Sequence, residues 1–433
     1  MTDTLIVAAT APQQADRARL LRYVQLALLV IAAGAIFPML YLRQVYQGTM
    51  LHAMAISEVQ LGVLYSLLGT AFMFSYLPSG WIADRLPPRF LVSFSLIGTG
   101  VLGLVYATLP PYATLVWIFI GFGITCGLTF WAALLKRVRM IALADEQGRF
   151  FGVLDGGRGL VEASLATVAI ALFAWTVDRG QSEATGLRHV IHLYAFCCIG
   201  LGVLLGFVRD PRAVTDEDGA APAARSSLRA DLATLIRIPE LWLVTAIIFC
   251  GYHFFWATYS FSALLEQDGL GLSATLAGVV TTIKLWMRPV GGIGGGWLGD
   301  RFSKIGVLIV ALSLDAAGML GLALLPALHN VSILVFLVIF IGMVTYAIRG
   351  LYWAILDDCR VPTRITGLAI GIISMIGYMP DAFLPLVNAW FIGRFPGLLG
   401  YQLYFTYILV VGLLGVVAAV ALKRRLQART STP

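Results

Sequence analysis

Five basic side chains, Arg43, Arg158, Lys284, Arg288 and Arg349, sit inside stretches that are otherwise apolar, accompanied there by the carboxylates Glu162 and Asp381. Charged groups in such surroundings bind ions, pair with one another or relay protons. A spacing of four residues places Arg158 and Glu162 on one helix face, where they can form an ion pair or leave Arg158 to a ligand. Lys284 and Arg288 are also four apart, but two like charges on one face require an anion opposite. Asp381, Asp315 and a bound substrate are the available partners. Arg349 lies between Tyr346 and Tyr352-Trp353, and Arg43 lies in Tyr41-Leu42-Arg43-Gln44-Val45-Tyr46-Gln47. A guanidinium fork grips a carboxylate, sulfonate or phosphate with two hydrogen bonds. Asp381 follows Pro380 in Gly377-Tyr378-Met379-Pro380-Asp381, where the proline frees a carbonyl and permits a bend beside the acid. Glu162, Asp381 and His253 are the groups placed to carry a proton; for His253 a packing role is the alternative, and for Asp381 a permanent pair with Lys284 or Arg288.

The elements that hold these groups follow from composition. Of 433 residues, 59% are hydrophobic and only 12% charged, a balance that excludes a soluble domain of this length. Apolar runs of about 20 residues, enough to span a bilayer, recur near 22–48, 58–80, 90–109, 114–136, 150–177, 190–208, 241–264, 275–298, 305–327, 331–356, 364–392 and 401–422. The chain therefore reads as an all-α membrane protein with about twelve transmembrane helices. Five basic groups facing lipid would cost on the order of 15 kcal/mol, so they must face protein or a water-filled cavity.

Most of the 30 lysines and arginines lie at the two termini and after the even-numbered helices, whereas Arg179, Arg188 and Arg394 alone lie on the other side. The positive-inside rule then puts both termini in the cytoplasm of a multi-pass inner-membrane protein. The net charge of +7 is topology and does not indicate nucleic acid. The polar stretch from Arg209 to Glu240 divides residues 1–208, a six-helix bundle, from residues 241–433, a second one. The first nineteen residues lack a secretory cleavage pattern, and the first helix is expected to remain as an anchor.

The two bundles repeat one another. Gly80-Trp81-Ile82-Ala83-Asp84-Arg85 returns as Gly296-Trp297-Leu298-Gly299-Asp300-Arg301, 216 residues later, and Trp131-Ala132 and Arg149 are answered by Trp353-Ala354 and Arg364. Repeats of this kind build transporters around a central site. Two halves of six helices, a basic central linker and Gly-x-x-x-Asp-Arg after the second helix of each half resemble the major facilitator superfamily across essentially the whole chain. The prolines Pro87 and Pro88 depart from the glycine and arginine usual in that motif but leave the acid–base pair.

The resemblance implies two pseudo-symmetric halves in the major facilitator fold, a monomer that works by alternating access, and a cavity lined by helices 1, 4, 7 and 10 and flanked by 2, 5, 8 and 11. It also implies a cytoplasmic latch at Asp84, Arg85, Asp300 and Arg301, with Arg149 and Arg364 as partners; Asp145-Glu146 could instead cap the fifth helix. None of the five basic groups falls on a peripheral helix. Arg43 beside tyrosines is similar to the organic-anion and organophosphate branch, where such an arginine grips the anion. Arg349 would then face Arg43 across the pseudo-twofold, and Tyr46, Gln47, Lys284, Arg288, Tyr346 and Tyr378 would complete the substrate site.

Three functions of different classes follow: a secondary transporter of a small organic anion with proton symport or anion exchange, a multidrug or lipophile exporter driven by proton antiport, and a membrane enzyme or receptor. The fifth helix has no glycine-proline signature of the exporters, and no nucleophile–base pair is assembled for an enzyme. His189 and His192 lack a third metal ligand, and the glycine run 291–296 ends a helix and follows no strand, which points to helix packing and not to phosphate binding. No Walker sequence and no cofactor motif is present.

Overall fold

The computed structural model describes residues 2–143, 146–208, 228–267, 270–324, 330–352, 354–359 and 366–430. Among them run twelve long helices: α1 (Arg19–Met54), α2 (Glu58–Arg85), α3 (Pro88–Tyr106), α4 (Tyr112–Ile141), α5 (Arg149–Asp178), α6 (Glu183–Phe207), α7 (Pro239–Leu265), α8 (Ala274–Arg301), α9 (Lys304–Leu324), α10 (Val331–Leu351), α11 (Ala369–Arg394) and α12 (Leu398–Ala428). Ten are long and apolar enough to cross a membrane, and α2 and α8, at 28 residues each, have the length. The described residues contain no strand, as a membrane interior demands. Of the expected linker, a short helix Leu228–Ile236 is described.

Local chemistry repeats with the helices. Ser57 and Ser273, 216 residues apart, cap α2 and α8 by accepting the N–H of Gln60 and Leu276, and each helix holds an internal proline, Pro78 or Pro289, before its Asp-Arg close. Prolines at 88 and 239 start α3 and α7, where no backbone N–H is missed. The glycine run of α8 lies on α10: a Cβ at Gly295 would stand 2.8 Å from that of Ala347. All five cysteines are free.

An even number of passes leaves both ends of the chain on one face, the terminal face. Four helices break at the depth where they surround the centre. The helix of α1 is interrupted at Ile36 and at Tyr41–Leu42, α4 carries a π-helical turn over Gly123–Leu128, α7 tightens to 3-10 geometry at Thr258–Ser260, and α11 breaks at Tyr378–Met379 ahead of Pro380. Irregular backbone at membrane depth is stable where it lines a cavity.

Candidate functional site

The halves α1–α6 and α7–α12 meet on the side away from the termini chiefly along two seams, with α1 also against α7 and α8. In the first, small residues of α2 admit the backbone of α11: Gly62 faces Pro385 and Ala389, the Ser66 hydroxyl donates to the Ala382 carbonyl, and Gly69 faces the Asp381 carbonyl. In the second, α5 meets α8 through Ile170 on Gly278, Trp286 Nε1–H donating to Thr167 Oγ1 at 2.9 Å, and the buried trio Ala163, Ala166 and Leu285. This seam ends where Arg288 lays its stem over Gly159, whose added Cβ would lie 2.8 Å from Arg288 Cδ, and the guanidinium pairs with Glu162.

Below the seams the halves part around a cavity of about 690 Å3. Its apex is formed by Glu162, Arg288 and Asp381, where the seams stop. Its walls carry Arg158, Arg349 and the tyrosines 252, 346, 352 and 378, and Gly152, Asp155 and Ile370, near the terminal-face ends of α5 and α11, mark its mouth. The cavity thus opens to the terminal face.

The charges in this cavity are unequally satisfied. Glu162 is held by Arg288 from the other half. Asp381 receives the Tyr252 hydroxyl at 3.1 Å on one oxygen and the Trp256 indole N–H on the other. Arg158 lies 3.9 Å from Asp155, whose side chain is 81% exposed, and its guanidinium stands 5.0 Å from the Trp131 ring centre and 5.6 Å from that of Phe37. Arg349 makes no ion pair among the described residues and lies 4.0 Å over the Phe255 ring and 5.6 Å over Tyr252. Arg158 is within electrostatic range of both Arg288 and Arg349.

The expected pairings change accordingly. Glu162 pairs with Arg288 across the halves, not with Arg158 on its own helix, because α8 packs directly against that face of α5. Lys284, fully buried outside the cavity, donates to Thr258 Oγ1 at 3.3 Å, and Asp315 accepts from Thr345 at 2.7 Å. Neither Asp381 nor Asp315 serves Lys284 or Arg288 as an ion-pair partner among the described residues.

Arg43 and Arg349 are not brought together. Arg43 is buried above the cavity, where its Nε donates to Gln47 at 2.9 Å and its guanidinium to Asn388 of α11; Gln47 in turn donates to Glu58 at 2.9 Å. This network ties α1 to α2 and α11. Tyr46 packs 5.2 Å from Phe173, outside the cavity lining. Tyr346 lies beneath Arg288 at 5.7 Å, and Tyr378 shares a 3.2 Å hydroxyl contact with Tyr352. His253 is buried behind the cavity wall between Phe249 and Phe383, with Nδ1 2.8 Å from the Phe249 carbonyl and Nε2 3.4 Å from Tyr407 Oη.

At the terminal face Arg85 and Arg301 stack on Trp81 and Trp297, 3.8 Å and 5.7 Å from the ring centres, Asp300 is exposed, and Arg149 donates to the Tyr23 hydroxyl. Glu146 pairs with Arg22 at 2.9 Å and makes no side-chain cap on α5. Asp145, Arg364 and the side chain of Asp84 lie outside the described residues. No group of three or more metal-ligating side chains occurs among those described.

Gly159 and Asn388 escape sequence reasoning. Both are neutral, and their roles appear only when the partner helix is in place. The run Gly156-Gly157-Arg158-Gly159 was the available sign of a helix face shaped for close approach.

A profile of the Major Facilitator Superfamily matches residues 23–385. The chain is similar to Inner membrane protein YqcE of Escherichia coli (strain K12), 32% identical over 385 residues covering 85% of this chain and 87% of that protein. It is also similar to the "Probable galactarate/D-glucarate transporter GarP" of that strain, 22% identical over 374 residues covering 78% and 81%. A solved structure of a bacterial homolog of the human lysosomal transporter Spinster, inward-facing and unoccupied, aligns with a TM-score of 0.76 at 15% identity, covering 94% and 98% of the two chains.

Proposed function

The chain belongs to the Major Facilitator Superfamily and is a secondary transporter, not an enzyme; from that premise we propose that its cargo is a small organic anion, a carboxylate, sulfonate or phosphate ester. One observation carries the reading: a single cavity holds three guanidiniums, and its carboxylates leave two of them with open N–H groups. Glu162 is occupied by Arg288, Asp381 by Tyr252 and Trp256, and Asp155, 3.9 Å from Arg158, is largely exposed to the cavity mouth, which leaves Arg158 in the first half and Arg349 in the second to receive a ligand. Both guanidiniums lie on aromatic faces, which hold their planes without consuming their N–H groups. An anion reaching both would contact the two halves at once, as alternating access requires. The name of GarP, which specifies two sugar acids, supports a hydroxylated carboxylate, whose hydroxyls the cavity tyrosines could bind.

Arg158 and Arg349 thus replace Arg43 and Arg349 as the clamp, with Tyr346, Tyr378 and Arg288 beside it. Arg43, Tyr46, Gln47 and Lys284 support the surrounding structure. Asp381 and Glu162, which line the cavity, are the proton-coupling candidates; His253 lies behind the wall. Asp84, Arg85, Arg149, Asp300, Arg301 and Arg364 form the latch that closes the terminal side in the other state. Residues 1–208 and 241–433 make the two bundles, and one chain contains the whole cavity, which supports a working monomer. The bias of lysine and arginine puts both termini, and the mouth of the cavity, in the cytoplasm.

Thermal stabilisation of the purified protein by a panel of carboxylates, sulfonates, phosphate esters and lipophilic cations tests the cargo, because a ligand of the native state raises apparent stability by mass action. Stabilisation by one anion class, lost in Arg349→Gln, is expected. Stabilisation by lipophilic cations alone would overturn the anion reading and favour the exporter.

A further inference from the structure

Arg288 and Glu162 belong to different halves, yet both line the cavity, at the point where the α5–α8 seam ends. The pair therefore does two things in one place. It ties the halves on the far side, and it occupies a cationic group that faces the ligand space. The seam is shaped for this contact: Gly159 leaves the notch in which the Arg288 stem rests, and a Cβ there, 2.8 Å from Arg288 Cδ, would make that stem shift. One turn toward the cavity mouth from Glu162, on the same helix, stands Arg158, whose ion-pair partner among the described residues is the exposed Asp155 at 3.9 Å.

We propose that the transported anion and the Glu162 carboxylate compete for Arg288, and that Glu162, when displaced, turns to one edge of Arg158 on its own helix, whose remaining N–H groups stay with the anion. The proposal rests on the anion-transport reading above. The exchange leaves no buried charge unpaired, which separates it from simple rupture of the ion pair, a costly event in a low-dielectric site. Its consequence is directional. While the cavity is empty the Glu162–Arg288 tie spans the halves and holds the far side shut; when an anion sits on Arg288, Glu162 is paired within its own half and the tie is gone. A ligand shifts a conformational equilibrium only through such a difference in contacts between states. The empty carrier reorients slowly and the loaded one quickly, so the protein is an exchanger of anions rather than a carrier of net flux.

The groups facing Glu162 fit this account. Arg288 of α8 holds it, and Lys284 of α8, Arg158 of α5, Tyr194 of α6, Tyr259 of α7 and Tyr346 of α10 lie within its electrostatic range. Lys284 is no alternative partner that frees the halves, since it too lies on α8 and a Glu162–Lys284 pair would keep the seam closed.

The test uses the full chain, purified and reconstituted, with D-glucarate and inorganic phosphate as separate probes. Glu162→Gln removes the competitor, and probe affinity should rise about tenfold; Arg288→Gln should lower it by at least about tenfold. In vesicles, the ratio of exchange to net efflux should be high in the native protein and fall toward one in Glu162→Gln. Unchanged or weaker probe binding by a folded Glu162→Gln protein that still transports would overturn the competition. Gly159→Ala, which crowds the Arg288 stem, is the second variant and should shift affinity in the same direction as Glu162→Gln; a shift opposite in sign would count against the proposal.

A further measurement needs no ligand. Spin labels at Gln181→Cys and Leu276→Cys, in a background without the five native cysteines, report separation of α5 from α8 on the far side. Glu162→Gln without any anion should populate a longer distance. If it does not, the tie is not a lock, whatever the protein carries. If the labels separate but neither probe binds the native protein while lipophilic cations do, the cargo reading fails and the competition for an anion falls with it, whereas the lock stands.

Discussion

Arg349 is the side chain whose position most directly specifies chemistry. It is held by the faces of Phe255 and Tyr252 and makes no ion pair among the described residues, so its charge is not consumed by the structure that positions it. Arg349→Gln should therefore leave a folded protein and weaken the stabilising anion by about 1.5–3 kcal/mol, tenfold or more, the value of a charge-assisted hydrogen bond. Equal stabilisation of mutant and native protein in thermal-shift titrations would remove Arg349 from the site. Glu266 offers a different residue-level prediction, outside the spans. It follows α7 on the far face, its carboxylate lies against Gly48 of α1, and Oε1 is buried with no hydrogen-bond partner among the described residues. Burial, with a smaller push from Glu183, raises its pKa from 4.5 to about 7. A carboxyl with a raised folded-state pKa binds its proton more tightly when folded. Its contribution to stability is thus full below about pH 4.5, declines as pH rises to about 7 and is flat beyond. Melting temperature measured across this range should show a decline that Glu266→Gln reduces; an identical profile in the mutant would assign the effect elsewhere.

At the scale of the element, glycine placement decides which helices can meet. Gly69 of α2 lies against the Asp381 carbonyl of α11, so a methyl group there must push the two helices apart, and the Pro380 turn with them. Gly80, eleven residues on in the same helix, has nothing within 4 Å of the position a Cβ would take. Gly69→Ala should destabilise the purified protein by about 1–3 kcal/mol and loosen the far-side seam. Gly80→Ala should be neutral or stabilising by up to about 1 kcal/mol, because helix propensity is its main effect. Similar melting temperatures for the two variants would mean that the α2–α11 seam is not closed as described. This contrast also shows what the sequence makes legible. Hydrophobic length predicted all twelve helices, and Pro380 the break beside Asp381, because both effects are local to a segment. The partner of Glu162 was not legible: the four-residue spacing to Arg158 is written in the chain, whereas the approach of Arg288 depends on how α8 seats in the Gly159 notch. The same holds for Arg43, whose membership of α1 suggested the cavity, but whose neighbours Gln47 and Asn388 place it above.

For the whole molecule, duplication explains more than composition does. Capping serines 57 and 273, the prolines 78 and 289, and the breaks at Tyr41 and Thr258 recur about half a chain apart, so each half supplies one broken helix and one Asp-Arg-ended helix around the same centre. The charged groups do not obey that symmetry. Arg158 and Glu162 have no basic or acidic counterparts 216 residues later, at Ser374 and Tyr378, and the proposed anion site rests on this departure. Orientation is the remaining whole-molecule property, and it fixes the sense of the cavity. With twelve passes the two ends must share a side, and the excess of lysine and arginine on that side argues for the cytoplasm. A fluorescent protein fused after Pro433 should therefore be fluorescent, and alkaline phosphatase fused at the same point inactive, whereas phosphatase inserted in the α5–α6 turn near Gly180 should be active. A cysteine at Asp155 in the cavity mouth should then react with impermeant thiol reagents in inverted vesicles and not in intact cells. The reverse pattern of fusions would turn the protein over in the membrane, and with it the side to which the cavity opens.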